Sequence, residues 1–267
     1  MSNFEAETLS FPARVKVMTW NVWGENQWPE RETPLVRTLH SAQPDVLLLQ
    51  EVCPAIMKTL DEFPSYARVD EPTKRGWTHE SQIYYNKALL KMVDYGCSKL
   101  DMPDHPDRGL FWAQFELAEK SSVSFFVSTV HMPWQGCPEE IETGMNQRIP
   151  TTIKVIEQLR RVCPQGVPAI VAGDFNDDYH PLRVLQEEMG FTDVFELLDM
   201  PPPITHPVRN SSLQEVQRPD RTVDWITCSM PTNCRVAGAY VKGMRGISCA
   251  SDHYPVLAFF EFGESRR

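Results

Sequence analysis

Val15-Lys16-Val17-Met18-Thr19-Trp20 alternates in the manner of a half-buried strand and ends on Asn21. Between residues 30 and 43, Leu35, Leu39 and Ala42 recur at helical spacing, and Pro44-Asp45 stops that helix. Val46-Leu47-Leu48-Leu49 is a continuous apolar run that suits a strand buried on both faces, and it leads into Gln50 and Glu51. Residues 55–62 read as a short helix. Strand-like pieces follow at 82–85, 91–95 and 110–117, interrupted by a polar loop at 101–107. Residues 123–130 form a further predicted strand, which ends on His131. Ile149, Ile153, Ile156 and Leu159 mark the apolar face of a helix ending near Arg161.

Pro168-Ala169-Ile170-Val171-Ala172 is another short apolar run. Gly173 closes it, and Asp174, Asn176, Asp177 and Asp178 follow at once. Residues 181–188 read as a short helix. Pro201-Pro202-Pro203 opens an irregular loop reaching about Pro219, the segment expected to be most mobile. The last predicted strands are 223–228 and 255–262. There is no internal repeat, low-complexity tract or linker between composition zones. Residues 15–262 are therefore expected to form one domain, flanked by tails at 1–14 and 263–267.

Composition narrows the reading. A chain of 267 residues with 42% hydrophobic and 23% charged content can bury a substantial core. Its formal net charge of −10 argues against broad electrostatic adhesion to nucleic acid or anionic membrane. A phosphate substrate stays open, because bound divalent cations reverse local charge. The seven cysteines include no C-x-x-C pair, so neither a zinc ribbon nor a full disulfide framework is expected. The acidic amino terminus lacks an apolar signal core, and no run approaches membrane-span length. These features predict a soluble, intracellular, monomeric protein with reduced thiols.

The chemistry sits where strands end. Asn21, Glu51, His131, Asp174 with Asn176, and Asp224 each adjoin an apolar run, and Ser251-Asp252-His253 precedes the final strand. Singly, each has an ordinary explanation as a turn former or a helix start. Together they carry more weight, because strand ends in a packed sheet converge on one rim. Carboxylates, carboxamides and imidazoles without a neighbouring cysteine suit a hard cation, Mg²⁺ or Mn²⁺. Such an ion neutralises phosphate charge, while a spare carboxylate can deprotonate water and an Asp-paired imidazole can steady the phosphorus centre.

Thr19-Trp20-Asn21, Leu49-Gln50-Glu51-Val52, Gly173-Asp174-Phe175-Asn176, Val223-Asp224-Trp225-Ile226 and Ser251-Asp252-His253 occur in an order that resembles the endonuclease/exonuclease/phosphatase superfamily. The resemblance spans about residues 15 to 262. It implies a four-layer α/β sandwich, with two mixed β-sheets packed face to face and helices outside. It also implies metal-dependent cleavage of a phosphate ester by an activated water. Under it, Glu51 is the principal metal ligand, with Asn21 and Asp252 close by. Asp174 orients or deprotonates the attacking water, and Asn176 contacts phosphate. Asp224 and His253 form an Asp–His pair whose imidazole faces the scissile phosphate. His131 matches a second histidine of the deoxyribonuclease-like branch, and Glu80 the carboxylate that orients it. Arg148 sits where many members carry an arginine; a solvated helix-face charge explains it equally well.

The chain departs from some branches. Trp23 stands where apurinic endonucleases carry an acidic residue, and those enzymes use a tyrosine where His131 would act. Trp23, Trp28, Trp77, Trp134 and Trp225 lie near the rim segments, where a ring can stack a base or pack in the core. Core packing is favoured for Trp225, while Trp134 is equally open to substrate contact. Arg75, Arg108, Arg209, Arg218 and Arg221 read mainly as solvated loop charge. The expected substrate is a phosphodiester in DNA, RNA or a nucleotide conjugate. The alternatives are a small phosphomonoester or lipid head group, and a binding module that kept only the fold.

Overall fold

The computed structural model describes residues 13–69, 80–102, 104–207, 220–231, 234–243 and 250–263. In chain order the first elements are β1 (Ala13–Asn21), α1 (Glu32–Ala42), β2 (Val46–Gln50), α2 (Pro54–Asp61), β3 (Tyr66–Arg68) and β4 (Ser81–Asn86). Next come β5 (Leu90–Lys99), β6 (Gly109–Leu117), β7 (Lys120–His131), α3 (Pro138–Thr143), α4 (Arg148–Val162) and β8 (Ala169–Asp174). The chain continues through α5 (His180–Met189), β9 (Thr192–Asp193), α6 (Val194–Leu197), β10 (Asp224–Ser229), β11 (Cys234–Val241) and β12 (Val256–Phe262).

Strand alternation builds the layers. In β1, Val15 and Val17 enter one apolar cluster and Met18 and Trp20 another. In β7 and β8, Phe125, Val127, Ile170 and Ala172 share the cluster of Val15 and Val17, while Phe126, Val130, Ala169 and Val171 belong to a third. The strands form two six-stranded sheets, ordered β11-β12-β1-β2-β4-β3 and β5-β6-β7-β8-β10-β9. Their inward faces make the first cluster. Leu35, Leu39, Ile56 and Leu60 of α1 and α2 cover the outside of one sheet, and Val155, Ile156, Leu159 and Leu185 of α4 and α5 cover the other. The result is the expected four-layer α/β sandwich.

Topology sends one end of every relevant strand to the same rim. The β1–β2 and β7–β8 pairs are parallel, so their carboxyl ends lie together. β4, β10 and β12 run antiparallel to these strands and present their amino ends there. Continuing the inward alternation to that rim exchanges apolar residues for Thr19, Asn21, Gln50, Thr129, His131, Asp174 and Asp224. Gln50 ties the sheets just beneath, its Nε2 lying 3.1 Å from Thr19 Oγ1 and 2.7 Å from Thr129 Oγ1.

Some local expectations need correction. Ile153 is exposed, because α4 buries Arg148, Thr151, Thr152, Val155, Ile156 and Leu159 instead. The threonine hydroxyls make this tolerable by bonding back to Gln147 O and Arg148 O. β1 starts at Ala13, so Ala13 and Arg14 belong to a strand and not to the expected tail. The helix expected over 30–43 is confined to Glu32–Ala42. Residues 1–12 and 264–267 of the expected tails, residues 208–219 of the proline-led loop, and Trp77, Arg75, Arg209 and Arg218 lie outside the described residues. No helix among the described residues is long and apolar enough to cross a membrane. Cys53, Cys137, Cys163 and Cys228 are free thiols.

Candidate active site

β8 delivers Asp174 between two neighbours. His131 is its register partner on β7, and Asp224 is its partner on β10. Gly173 permits this arrangement: its φ is +148°, and a Cβ there would sit 1.9 Å from Val130 O. Asp174, Asp224, His131 and His253 are all buried. His253 Nδ1 lies 2.8 Å from Asp224 Oδ2. Its Nε2 is 3.7 Å from Asp174 Oδ2, the same oxygen that His131 Nε2 approaches to 3.5 Å. Two imidazoles thus face one carboxylate oxygen.

The electrostatics follow from that packing. Burial alone would pull His253 down, but the charges of Asp224 and Asp174 and the bond to Asp224 outweigh it and lift the imidazole to about 10. Burial also pushes Asp224 up. Of the two opposing tendencies in this shared pair, the one on His253 is decisive: three carboxylates act on the ring, and it keeps its proton through neutral pH. On the other side, His131 Nδ1 is hydrogen-bonded to Glu80 Oε1. Burial acts to raise Glu80, but His131, Arg108 and His105 overcome it and hold the carboxyl at about 2. Arg108 is no solvated loop charge. Its Nε stands 3.3 Å from Glu80 Oε1 and its NH1 donates to Met132 O at 3.2 Å.

Asn21 joins the sheets at the rim, its Nδ2 lying 2.9 Å from Glu51 Oε1 and 3.1 Å from Asp174 Oδ2. Its Oδ1 accepts from Trp23 N at 2.9 Å. Ser251 Oγ donates to Asn21 O at 2.6 Å, which fixes the turn carrying Asp252 and His253 against β1. Asn176 donates from Nδ2 to Met132 O at 3.0 Å, and its backbone N–H donates to Asp174 Oδ1 at 2.9 Å. Trp23, Glu51 and Asn176 all have positive φ, at 64°, 53° and 52°. Non-glycine residues in that conformation cost energy, and their concentration beside Asp174 is typical of functional sites. Glu51, Asn21 and Asp252 supply carboxylate and carboxamide groups without sulfur, a donor set that fits a hard divalent cation.

One expected contact sits elsewhere. Arg148 is buried, with Nε 3.3 Å from Asp177 Oδ2 and NH1 and NH2 at 2.6 and 2.8 Å from the Glu140 carboxylate. All three nitrogens are engaged, so it is an internal anchor for the loop after Asp174 and not a phosphate contact. Trp225 packs in the core and donates to Asp177 O at 3.0 Å. Trp134 is 38% exposed. Trp23 and Trp28 lie under the Arg31 guanidinium, 5.1 and 5.7 Å from their rings.

One residue has no counterpart in the sequence reading. His206 forms a backbone bridge with Arg221, and its ring centroid lies 4.6 Å from that of His253. Its Nε2 is 3.8 Å from Asp252 Oδ2. Thr205 fixes this position: its hydroxyl oxygen accepts from Val223 N and Asp224 N at 3.0 and 3.1 Å, and its carbonyl accepts from Tyr254 N at 2.6 Å. The pairing with Arg221 and the bonds of Thr205 to Asp224 and Tyr254 together bring the histidine to the rim.

The sequence model of the Endonuclease/Exonuclease/phosphatase family matches residues 18–235. The chain belongs to that family. It is accordingly a hydrolase of phosphate ester bonds. No curated protein matches it in sequence. Among solved structures, D. rerio TDP2 complexed with a single-strand DNA product is similar at a TM-score of 0.74 and 20% identity, covering 93% of this chain and 99% of that one. The human Nocturnin catalytic domain with bound sulfate gives 0.73 and 19%, covering 93% and 94%. The Bacteroides thetaiotaomicron mannosyl-6-phosphatase gives 0.69 and 20%, covering 93% and 100%. At these identities the likeness concerns the fold.

Proposed function

We propose that this family member hydrolyses a phosphodiester in nucleic acid or a nucleotide conjugate by attack of a water held on Asp174. The observation carrying this reading is the adjacency of His131, Asp174 and Asp224 on three neighbouring strands, with two imidazole Nε2 atoms directed at one Asp174 oxygen. Asp174 Oδ2 orients the water and accepts its proton. His253, kept protonated beside Asp224, donates to a phosphoryl oxygen as negative charge grows there. His131, oriented by Glu80, donates from the opposite side. Asn176 contributes an amide contact to the phosphate, while Asn21 holds the Glu51 and Asp174 carboxylates in place. Glu51, Asp252 and Asn21 would hold Mg²⁺ or Mn²⁺, which when bound supplies charge neutralisation and Lewis acidity. Trp134, half in solvent near the rim segments, gives a surface on which a base can stack.

A small phosphomonoester is the second reading, favoured by the likeness to mannosyl-6-phosphatase and by the formal charge of −10. Residues 15–262 act in either case as one catalytic domain in a monomer, and the free thiols Cys53, Cys137, Cys163 and Cys228 fit a reducing, intracellular compartment. Comparing hydrolysis of a bis-aryl phosphodiester, an aryl monoester and labelled oligonucleotides, each with Mg²⁺ and with chelator, tests the proposal. Turnover of diesters is expected, and it should stop on chelation. Turnover of the monoester alone would replace the first reading with the second.

A further inference from the structure

His206 presents a half-buried imidazole to the rim, yet neither ring nitrogen has a hydrogen-bond partner among the described residues. The nearest opposing group is Asp252 Oδ2, at 3.8 Å. That gap is too long for a hydrogen bond. Two groups that each bind one ion at about 2.0–2.2 Å lie about 3–4 Å apart, which is the separation found here. Donor atoms of His206, Asp252 and His253 all fall within 4.8 Å of one another. The backbone on either side is fixed. His206 N donates to Arg221 O at 2.9 Å and Arg221 N to His206 O at 3.0 Å, while Tyr254 N ties the Asp252 turn to Thr205 O at 2.6 Å.

We propose that His206 and Asp252 together bind a divalent transition ion, so that the rim of this site contains a nitrogen ligand and selects Mn²⁺, Co²⁺ or Zn²⁺ over Mg²⁺ at that position. Imidazole suits these ions, whereas Mg²⁺ takes oxygen almost exclusively. His253 borders the same space, with Nδ1 engaged by Asp224, and stands beside the ion and not on it. The remaining coordination positions are left to water and substrate phosphate. This inference rests on the reading of the site as metal-dependent.

The test is Mn²⁺ titrated into the chelator-stripped full chain, followed by calorimetry and by pulsed electron paramagnetic resonance for directly bonded ¹⁴N. The wild type should give a ¹⁴N coupling, and His206→Gln should lose it. Mn²⁺ affinity in that variant should fall at least about tenfold, with Mg²⁺ affinity changing less than about twofold. His206→Cys keeps a ligating atom and should bind Co²⁺ with a sulfur-to-cobalt charge-transfer band, which separates loss of a ligand from loss of fold. Mn²⁺ bound with no ¹⁴N coupling, or with the same affinity in His206→Gln, would overturn the nitrogen ligand while leaving the metal-dependent reading in place. If no divalent ion binds at all, both fall.

Discussion

Asp174 is constrained from three directions, by His131, His253 and Asn21, each aimed at the same carboxylate oxygen. His253 is tied to this oxygen and to Asp224 at once, so its loss should be costly. His253→Ala should lower turnover by about 10²–10⁴-fold, and Asp224→Asn by less, because the aspartate acts through the imidazole. The double variant should be no slower than His253→Ala alone, since the pair works as a unit. Steady-state rates of the three proteins check this; an additive loss would separate the two residues. Glu80 has a signature outside catalysis. Its folded carboxyl sits at about 2, below its ordinary 4.5, so its contribution to stability is present above pH 4.5 and fades as pH falls toward 2. Glu80→Gln should therefore be less stable than wild type at pH 7, on the order of 1–3 kcal/mol, and the gap should close with acidification. Urea unfolding at several pH values reads the difference.

At the scale of elements, the sequence foretold long, strongly patterned pieces and missed short or mixed ones. β1, β2, β7 and β8 were legible because apolar runs end abruptly on polar residues. β3 and β9 have 3 and 2 residues, too few to display a period. β11 carries small residues at Ala237, Gly238 and Ala239 and changes register between Val236 and Gly238, so its alternation is broken. The buried face of α4 was misjudged because Arg148 lies inside, neutralised by Glu140 and Asp177, partners on other elements that helical spacing cannot reveal. One element junction can be tested directly. Gly173→Ala would push a methyl group onto the Val130 carbonyl, prising β8 from β7. We expect a loss of at least about 4 kcal/mol, or no folded protein. A melting temperature like that of the wild type would mean the strand pairing at Asp174 is looser than described.

Across the whole molecule, the two sheets share one inward face whose far end is apolar and whose rim is polar. The motif residues Asn21, Glu51, Asp174, Asp224 and His253 could be picked out from the chain because each follows or opens a patterned strand. The roles of Arg108 and His206, and the bridging of the sheets by Gln50, could not. These come from contacts of Arg108 with Glu80 and Met132, of Gln50 with Thr19 and Thr129, and of His206 with Arg221 and Asp252, which topology alone creates. The central claim is that this rim hydrolyses phosphate esters through a water oriented by Asp174. The most direct measurement is pre-steady-state hydrolysis of a bis-aryl phosphodiester by wild type and Asp174→Asn, both saturated with Mg²⁺ or Mn²⁺ and matched in thermal stability. The account predicts a drop of about 10²-fold or more in the chemical step with metal affinity nearly unchanged. A near-normal rate in Asp174→Asn would contradict it.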